Sequence, residues 1–386
     1  MRTVKFGIIG PGLMGKEFAS AAARWLHLPE MDIKPEIVAI CGQSRKNFSW
    51  YLDNIPSVRQ AVTDYRELLA NKEVEAVYCA VPHHLHKEIY CAVIESGKHL
   101  MAEKPFGIDK EANEAILRCM EDHPEVFVRC SSEFPFIPAA QKIGQMLEKE
   151  DFGKIIEVNS GFLHSSDLDP DKAINWKRMI DKNGEYGCMG DLGMHACHIP
   201  FRAAWEIHNV RAILSNIMTT RPNGKGDLVP CETWDNATLL CEASEGAEDL
   251  HFPMTIKTQR IAPGEKDTWY IEILGTKKSV RFSTKNPKNL SVLEYNGKEQ
   301  VWQQIDMGHE TAYKSITGGI FEFGFSDSIL QMWAAFMTEL EHGKPQERFA
   351  ACATPQETAL SHKLFTAALE SNAQQSVVEL NMKETL

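Results

Sequence analysis

A glycine-rich turn near the N-terminus is the sequence feature that most restricts how this chain folds. Its G-x-G-x-x-G pattern directly follows the apolar run 4–9 and precedes a helix-like stretch at 16–26. A strand that ends in this pattern and leads into a helix lets backbone atoms approach a pyrophosphate, which the free N–H groups at the helix start bind. This order favours dinucleotide binding over a turn that only packs a helix on a strand. The predicted contacts are Gly10, Pro11, Gly12, Leu13, Met14 and Gly15.

Length and composition narrow the class of protein further. A chain of 386 residues is expected to form about two domains. No apolar run approaches the ~18 residues that span a bilayer, and the first residues lack the pattern of a secretory signal. The formal charge of -12 argues against a nucleic-acid partner, and the ten cysteines are scattered singly, as expected for reduced core residues. We therefore expect a cytoplasmic protein without a membrane or nucleic-acid partner.

Two different rhythms of apolar segments predict an α/β fold with two kinds of sheet. Up to about residue 135, β-branched runs alternate with helical stretches, which is typical of a doubly wound parallel sheet. From Lys154 onward, strand-like runs follow one another without helices between them, which favours a large, mostly antiparallel open sheet in a C-terminal α/β domain. Two helical regions, 325–342 and 355–371, end the chain. The predicted domains are 1–133 and 134–386, with C-terminal helices that could pack back on the first domain.

The end of the predicted second strand bears on the type of dinucleotide. An acidic residue usually binds the adenosine ribose there, but this chain reads Cys-Gly-Gln-Ser-Arg at 41–45. The hydroxyl of Ser44 and the guanidinium of Arg45 could hold a 2'-phosphate, which favours NADP over NAD. The alternative is that Arg45 simply begins the next helix in solvent.

Two further segments carry residues suited to proton transfer. Lys104 follows a short predicted strand, at the edge where parallel sheets bind ligands, although Lys-Pro after a strand is also an ordinary turn. Asp191 and His195 are four positions apart after a glycine-rich segment, so a helix would place them on one face. A carboxylate can orient an imidazole that accepts a hydroxyl proton, whereas the structural alternative is a helix cap and a hydrogen-bonded core histidine.

Metal binding is not indicated by the clustered cysteines and histidines. Cys188, His195, Cys197 and His198 lack the paired C-x-x-C spacing of structural zinc sites. The histidines at 83, 84 and 86 follow a strand and either line a cofactor loop or begin a helix. We therefore expect no metal site.

Four blocks in this order resemble the glucose-fructose oxidoreductase / inositol dehydrogenase (Gfo/Idh/MocA) family. They are the glycine-rich turn, the run A-V-Y-C-A-V-P-H-H-L-H at 76–86, the run G-K-H-L-M-A-E-K-P at 97–105, and D-x-x-x-H at 191–195. The resemblance covers nearly the whole chain, and its E-K-P block is the most specific part.

This resemblance implies a Rossmann domain followed by a domain whose open sheet carries the substrate pocket on one face and often an oligomer contact on the other. It implies a catalytic role for Lys104, Asp191 and His195, with His195 as general base toward a sugar or polyol hydroxyl. Lys177 is the implied substrate contact in the loop 175–178; Lys104, Asp191 and His195 would also touch substrate. The remaining implied cofactor contacts are Val81, Pro82, His86, Glu103, Lys104, Trp176 and Arg178, although Trp176 could equally be buried packing.

One departure from the family pattern is Glu133, which stands where many members have a basic or amide residue. It is either a ligand for sugar hydroxyls or a surface acid. The implied activity is NAD(P)-dependent oxidation of a secondary hydroxyl on a sugar, sugar derivative or cyclitol, in a homodimer or homotetramer joined through the C-terminal sheet. The alternative is a glycoside hydrolase or lyase that uses tightly bound cofactor for transient oxidation. A cofactor-sensing or partner-binding protein without catalytic activity is a third hypothesis. The presence of Lys104, Asp191 and His195 disfavours it.

Overall fold

The computed structural model describes residues 1–246, 250–308, 310–319 and 323–382, which form two compact units. The first unit contains 1–107, 111–136 and 309–355, and the second contains 108–110, 137–308 and 356–386. The segment 309–355 therefore returns to the first unit instead of continuing the second. The domain boundaries expected from the sequence stay predictions.

A six-stranded, fully parallel sheet forms the centre of the first unit, in the order β3-β2-β1-β4-β5-β6. Its strands are β1 Arg2–Ile9, β2 Ile33–Cys41, β3 Gln60–Val62, β4 Ala76–Cys79, β5 His99–Ala102 and β6 Val128–Cys130. The helices of this unit are α1 Leu13–Ala23, α2 Phe48–Asn54, α3 Tyr65–Leu69, α4 His86–Glu95, α5 Lys110–Glu121, which begins in the second unit, and α9 Phe325–His342. Because all six strands are parallel, their carboxyl ends share one edge, where such sheets bind ligands.

The late helix α9 belongs to the first unit because its apolar face completes that unit's core. The indole of Trp333 stacks on the Phe18 ring of α1, with ring centroids 3.7 Å apart, and meets the Tyr78 ring edge-on at 5.1 Å. Trp333 and Phe18 are both almost fully buried. Aromatic side chains of this size contribute much of the apolar area that a core needs. Helix α9, late in the chain, therefore packs on and stabilises α1, the helix that follows the glycine-rich turn.

A nine-stranded mixed sheet dominates the second unit, in the order β16-β15-β14-β13-β7-β12-β11-β8-β17. Its strands are β7 Ile155–Leu163, β8 Trp205–Ser215, β11 Asn236–Glu245, β12 His251–Gln259, β13 Thr268–Gly275, β14 Lys278–Ser283, β15 Asn289–Glu294, β16 Gln303–Asp306 and β17 Val378–Glu379. A two-stranded sheet pairs β9 Thr220–Pro222 with β10 Leu228–Pro230. The helices are α6 Pro138–Glu148, α7 Ile180–Asn183, α8 Met194–Arg202 and α10 Pro355–Gln374. These two sheets confirm the predicted fold class.

One pair of strands in the large sheet runs parallel and therefore ends at the same edge. β7 and β12 pair in parallel, with Leu163 opposite Gln259 at their carboxyl ends. The hydrogen bonding continues past the strand ends, because the N–H of His164 donates to the carbonyl of Gln259 at 2.7 Å and the N–H of Ala262 donates to the carbonyl of His164 at 2.8 Å. The segments that follow the two strands are therefore held side by side.

The structure corrects several element boundaries. Helix α1 begins at Leu13, three residues before the predicted Lys16, and ends at Ala23 with a short 3-10 turn after it. Strand β8 was not predicted, although its apolar residues Ile207, Val210, Ala212 and Leu214 are buried.

All ten cysteines lie in described parts of the chain and are free thiols. Among the described residues, no helix has the length and apolar character needed to cross a bilayer.

Candidate active site

The glycine-rich turn lies at the carboxyl end of β1, and its three glycines are required for different reasons. Gly10 has a φ of 95°, and a Cβ there would collide with the Ala80 carbonyl. A Cβ on Gly15 would lie 2.7 Å from the Tyr51 hydroxyl. A Cβ on Gly12, in contrast, would meet no atom of the chain within 4 Å.

The chain's own packing therefore leaves Gly12 unexplained, whereas close approach of a phosphate group would explain it. Gly12 is also the N-cap of α1, and no side chain caps the helix there. Backbone N–H groups at such a terminus bind anionic oxygens. This arrangement fits the pyrophosphate of a dinucleotide.

The end of β2 is more negative than its own sequence indicates. Ser44 and Arg45 are exposed, and Arg45 begins a short 3-10 turn that ends at Asn47. Burial, with Asp64 and Glu67, raises the pKa of Cys41 to about 11, so the carboxylates of the α3 N-cap, Asp64, and of Glu67 in the first turn of α3 lie near this strand end. The side chain of Asp64 accepts a hydrogen bond from the backbone N–H of Arg66 at 2.9 Å and caps α3.

Glu103 follows β5 at the ligand-binding edge, and its carboxylate is held inside the first unit. The hydroxyl of Tyr78 donates to Glu103 Oε1 at 2.5 Å, and the hydroxyl of Tyr90 donates to the Glu103 carbonyl at 2.8 Å. Burial raises the pKa of Glu103, and the neighbouring Lys104 ammonium opposes this shift. The half-buried Lys104 therefore stands beside a fixed, partly desolvated carboxylate.

His86 lies under the same edge and is fully buried. The N–H of Gly107 points to His86 Nδ1 at 3.4 Å, so the ring proton lies on Nε2, which donates to the Val81 carbonyl at 3.1 Å. Its ring stacks on Tyr90 at 4.6 Å. These contacts give His86 a structural role beside the segment after β4, in which Val81 and Pro82 are half-buried. The cofactor contact expected for His86 stays a prediction.

The structure rejects one of the two interpretations of Glu133. Its relative exposure is 6%, so it is not a surface acid. Burial raises the pKa of Tyr78, and the Glu103 and Glu133 carboxylates raise it further, so Glu133 lies near the Tyr78 hydroxyl. Glu133 stays a candidate substrate ligand at the carboxyl end of β6.

Asp191 and His195 lie on one continuous helical stretch in the second unit. A π-helical turn, Met189–Gly193, carries Asp191, and α8 follows it directly. A Cβ on Gly193 would lie 2.5 Å from the ring of Phe365 in α10, so this glycine permits the close approach of the two helices. The helical placement predicted for the D-x-x-x-H segment is present, with an additional local widening at Asp191.

Two cations contact the carboxylate of Asp191. The ammonium of Lys177 lies 2.8 Å from Oδ1 and 3.0 Å from Oδ2, and Arg260 Nη1 donates to Oδ2. Arg260 Nε also donates to Asp167 at 3.1 Å, and Lys172 pairs with the other oxygen of Asp167 at 3.0 Å. A chain of alternating charges therefore runs through the site.

The acidic and basic side chains of this chain of charges alternate because most of them are buried, where an unpaired charge would be unfavourable. Asp191 has 2% relative exposure, Asp167 0% and Arg260 5%. Burial alone would lower the pKa of Arg260, but Asp191 and Asp167 raise it. Burial alone would raise the pKa of Asp167, but Arg260 and Lys172 hold it below its usual value.

Helix α8 carries two histidines, His195 and His198, whose surroundings differ. Burial, assisted by Arg202, lowers the pKa of His198 to about 3, so this imidazole is neutral at physiological pH. The His195 ring meets Phe162 edge-on at 5.4 Å, and its carbonyl accepts a hydrogen bond from the Trp269 indole at 2.9 Å. The tertiary structure therefore removes His198 as a proton carrier and anchors the backbone of His195.

The loop 175–178 separates its three predicted contacts. Lys177 pairs with Asp191, and Trp176 is half-buried, with its ring centroid 5.6 Å from the Lys177 ammonium. Arg178 has no exposed surface and pairs with the fully buried Asp235 at 2.5 Å. These contacts describe a structural arginine, and the nicotinamide contact proposed for Arg178 stays a prediction.

Sequence reasoning missed Arg260, Asp167 and Tyr78. The signal for Arg260 and Asp167 was present as charged residues just after two apolar strands, but only the pairing of β7 with β12 brings them together. Within the described ranges, no group of three or more His, Cys, Asp or Glu side chains is arranged to hold a metal ion.

The raised pKa of Glu103 predicts a pH-dependent effect of Glu103→Gln on stability. Because the folded pKa lies above the unfolded value of about 4.3, native stability falls as pH rises through the window between them. The variant lacks this loss. Thermal unfolding should therefore show that the midpoint of the variant, relative to native protein, increases from pH 4.5 to pH 8.

The exposed Glu121→Gln variant is the control for this measurement. Its midpoint relative to native protein should not follow the same trend. A constant offset for Glu103→Gln across this pH range would contradict a desolvated carboxylate at Glu103.

Comparisons with known proteins agree with this geometry. A model of an oxidoreductase family with an NAD-binding Rossmann fold (GFO_IDH_MocA) matches residues 4–129, and the C-terminal domain model of the same family matches 140–281. Levoglucosan dehydrogenase from Pseudarthrobacter phenanthrenivorans is 23% identical over 313 residues, 76% of each chain. D-xylose 1-dehydrogenase (NADP(+)) from Hypocrea jecorina is 22% identical over 319 residues, 77% of each chain.

The fold is also that of solved structures. Levoglucosan dehydrogenase in complex with NADH and L-sorbose has a TM-score of 0.87 at 21% identity, covering 99% of this chain and 100% of that chain. The two family models together span more than half of the chain. This chain is therefore a member of the Gfo/Idh/MocA oxidoreductase family, with an NAD-binding Rossmann fold in its N-terminal part.

Proposed function

We propose that this protein transfers a hydride between a nicotinamide dinucleotide and a secondary hydroxyl of a sugar, sugar derivative or cyclitol. The observation that carries the proposal is the shared edge of the parallel sheet, where the uncapped Gly10–Gly15 turn and the Glu103–Lys104 pair both follow parallel strands. The dehydrogenases of levoglucosan and D-xylose among the relatives support a carbohydrate substrate. No observation on this chain favours the hydrolase alternative.

In this proposal, the residues of the chain divide the proton chemistry. When bound, the nicotinamide supplies the hydride acceptor. The imidazole of His195 accepts the hydroxyl proton, and the ammonium of Lys104 donates a hydrogen bond to the carbinol oxygen as negative charge develops on it. Asp191 and Lys177 orient the substrate hydroxyls, and Glu133 is a further ligand.

Absorbance of reduced nicotinamide during incubation with levoglucosan, D-xylose, L-sorbose and myo-inositol tests this function. The native protein should show a rise with at least one of these compounds. Lys104→Met and His195→Ala should each lower turnover by about 10² to 10⁴-fold, because the first removes the donor that stabilises charge on the carbinol oxygen and the second removes the proton acceptor.

Cofactor titration by fluorescence is the control for these two variants. Their cofactor affinity should stay within about threefold of native, since the substituted groups act on the reacting hydroxyl. Near-native turnover in both variants would overturn the assigned roles. Leaving-group release from a glycoside without an absorbance rise would instead favour the hydrolase.

We also propose that NADP is bound more tightly than NAD. Ser44 and Arg45 are exposed at the end of β2, and the nearby Asp64 carboxylate is already engaged by Arg66. Arg45→Gln should weaken NADP binding by about 10- to 150-fold and leave NAD binding nearly unchanged, because a charged hydrogen bond to phosphate contributes about 1.5–3 kcal/mol. The exposed Arg59→Gln variant should change neither affinity. Tighter binding of NAD by the native protein would contradict this preference.

Two exposed apolar side chains on one face of the nine-stranded sheet support self-association of the chain. Helix α8 lies against one face, where the Ser160 hydroxyl donates to the Ala196 carbonyl at 2.7 Å. The strand register places Leu240 and Ile213 on the opposite face, with 53% and 65% relative exposure. Exposed apolar side chains of this size on a sheet face are typical of an oligomer interface, so we propose a homodimer or homotetramer.

Light scattering tests this association. Native protein should have the mass of two or four chains, and the double variant Leu240→Lys with Ile213→Lys should shift toward one, because it places charges in the interface. Leu26→Lys, on an exposed part of the first unit, should not change the mass. A native mass of one chain would refute the proposal.

A further inference from the structure

The chain of alternating charges in the second unit assigns a role to a residue outside the predicted site. We propose that Arg260 is a positioning residue that, anchored on Asp167, keeps Asp191 a fixed anion, so that Asp191 orients the Lys177 ammonium and does not itself carry the proton. This inference rests on the proposed function, because it names how one part of that site works.

The first step is the anchoring of Arg260. Its Nε donates to Asp167 Oδ2 at 3.1 Å, its backbone carbonyl accepts the N–H of Asp167 at 3.0 Å, and its backbone N–H donates to the Asp235 carbonyl at 2.9 Å. The Asp167 carbonyl accepts a further hydrogen bond from the fully buried Arg221. The guanidinium therefore has a fixed direction before it reaches Asp191.

The second step is the charge state of Asp191. A carboxylate at 2% exposure is desolvated, which disfavours ionisation unless cations compensate. Arg260 contacts one of its oxygens, and Lys177 contacts both. Arginine does not deprotonate in proteins, so this compensation persists at every working pH.

The other titratable groups around Asp191 do not compete for this role. Burial raises the pKa of Cys188, three residues before Asp191, to about 12, so this thiol is uncharged. Asp167 and Lys172 neutralise one another behind Arg260, at 3.0 Å. His195 lies one helical turn after Asp191 and is the proton acceptor of the proposed function.

The third step is the effect on Lys177. Its side chain keeps 31% exposure, whereas its ammonium bridges both oxygens of Asp191. A lysine side chain has four rotatable bonds and loses its direction easily. The fixed carboxylate gives this partly exposed donor one direction, and Arg260 acts through that carboxylate.

The pH profile of log(kcat/KM) tests the role of Arg260, with whichever sugar of the panel the native protein oxidises. In Arg260→Gln, Asp191 loses its permanent cation and begins to titrate, so the acid limb should move up by about one pH unit. Arg260→Lys keeps the positive charge and should restore the native limb. Arg202→Gln, which removes another buried arginine paired with a glutamate at 3.0 Å, should leave the limb in place. An unmoved limb in a folded Arg260→Gln variant would overturn the proposal.

Asp191→Asn gives a second test if Arg260→Gln fails to fold. Since Asp191 is an anion throughout the range in our proposal, this substitution should lower activity by the same factor at every pH and preserve the acid limb. Disappearance of the acid limb would show that Asp191 is the titrating group and would overturn the proposal.

A third readout needs no turnover and therefore separates this inference from the proposed function. Acetylation of Lys177 by N-hydroxysuccinimidyl acetate, measured by peptide mass spectrometry at pH 8, should be slowest in native protein, faster in Arg260→Gln and fastest in Asp191→Asn, up to about tenfold. The exposed Lys225 is the internal reference and should react equally in all three. Equal rates for Lys177 in native protein and Asp191→Asn would overturn the inference, whereas this ordering without sugar oxidation would reject only the proposed function.

Discussion

Burial of the Asp191 carboxylate requires positive charge beside it, and the ion pair with Arg260 supplies that charge from inside the second unit. Arg260 can reach Asp191 because β12 runs parallel to β7 and the segments after both strands are hydrogen bonded to one another. Asp167, on the segment after β7, then neutralises the other side of the guanidinium. The register of this strand pair thus brings a buried arginine to the acid of the D-x-x-x-H segment.

The first unit also buries a carboxylate at the carboxyl end of a parallel strand, but different groups contact it. Glu103 is desolvated at the carboxyl end of β5, where the Tyr78 hydroxyl donates to its carboxylate and the Lys104 ammonium opposes the effect of burial. In the second unit, guanidinium and ammonium groups pair directly with the buried Asp167. Burial and two nearby carboxylates keep Tyr78 protonated, so it remains a donor. Burial outweighs these contacts at Glu103, whose pKa is raised, whereas Arg260 and Lys172 outweigh burial at Asp167, whose pKa is lowered.

The sequence predicted most of the elements but not all of their partners. The parallel sheet was predicted from apolar runs that alternate with helical stretches. Helix α9 was predicted at 325–342, where it is found. Its membership in the first unit was left open, because the ring stacking of Trp333 on Phe18 joins residues more than three hundred positions apart. Strand β8 was not predicted, although buried and more exposed residues alternate along much of it. The burial of Glu133 could not be predicted from the sequence, because a single acidic residue after a strand is more often exposed.

The sequence by itself determined the chemistry that is available: a glycine turn between a strand and a helix, a lysine after β5, and an acid and a histidine four residues apart. These are local patterns, because backbone geometry and helical periodicity act over a few residues. Only the tertiary structure decided the charge and freedom of those groups, by burying His198, pairing Arg178 with Asp235, and placing Arg260 between two aspartates. Desolvation and ion pairing depend on which distant segments meet, so no local pattern contains them.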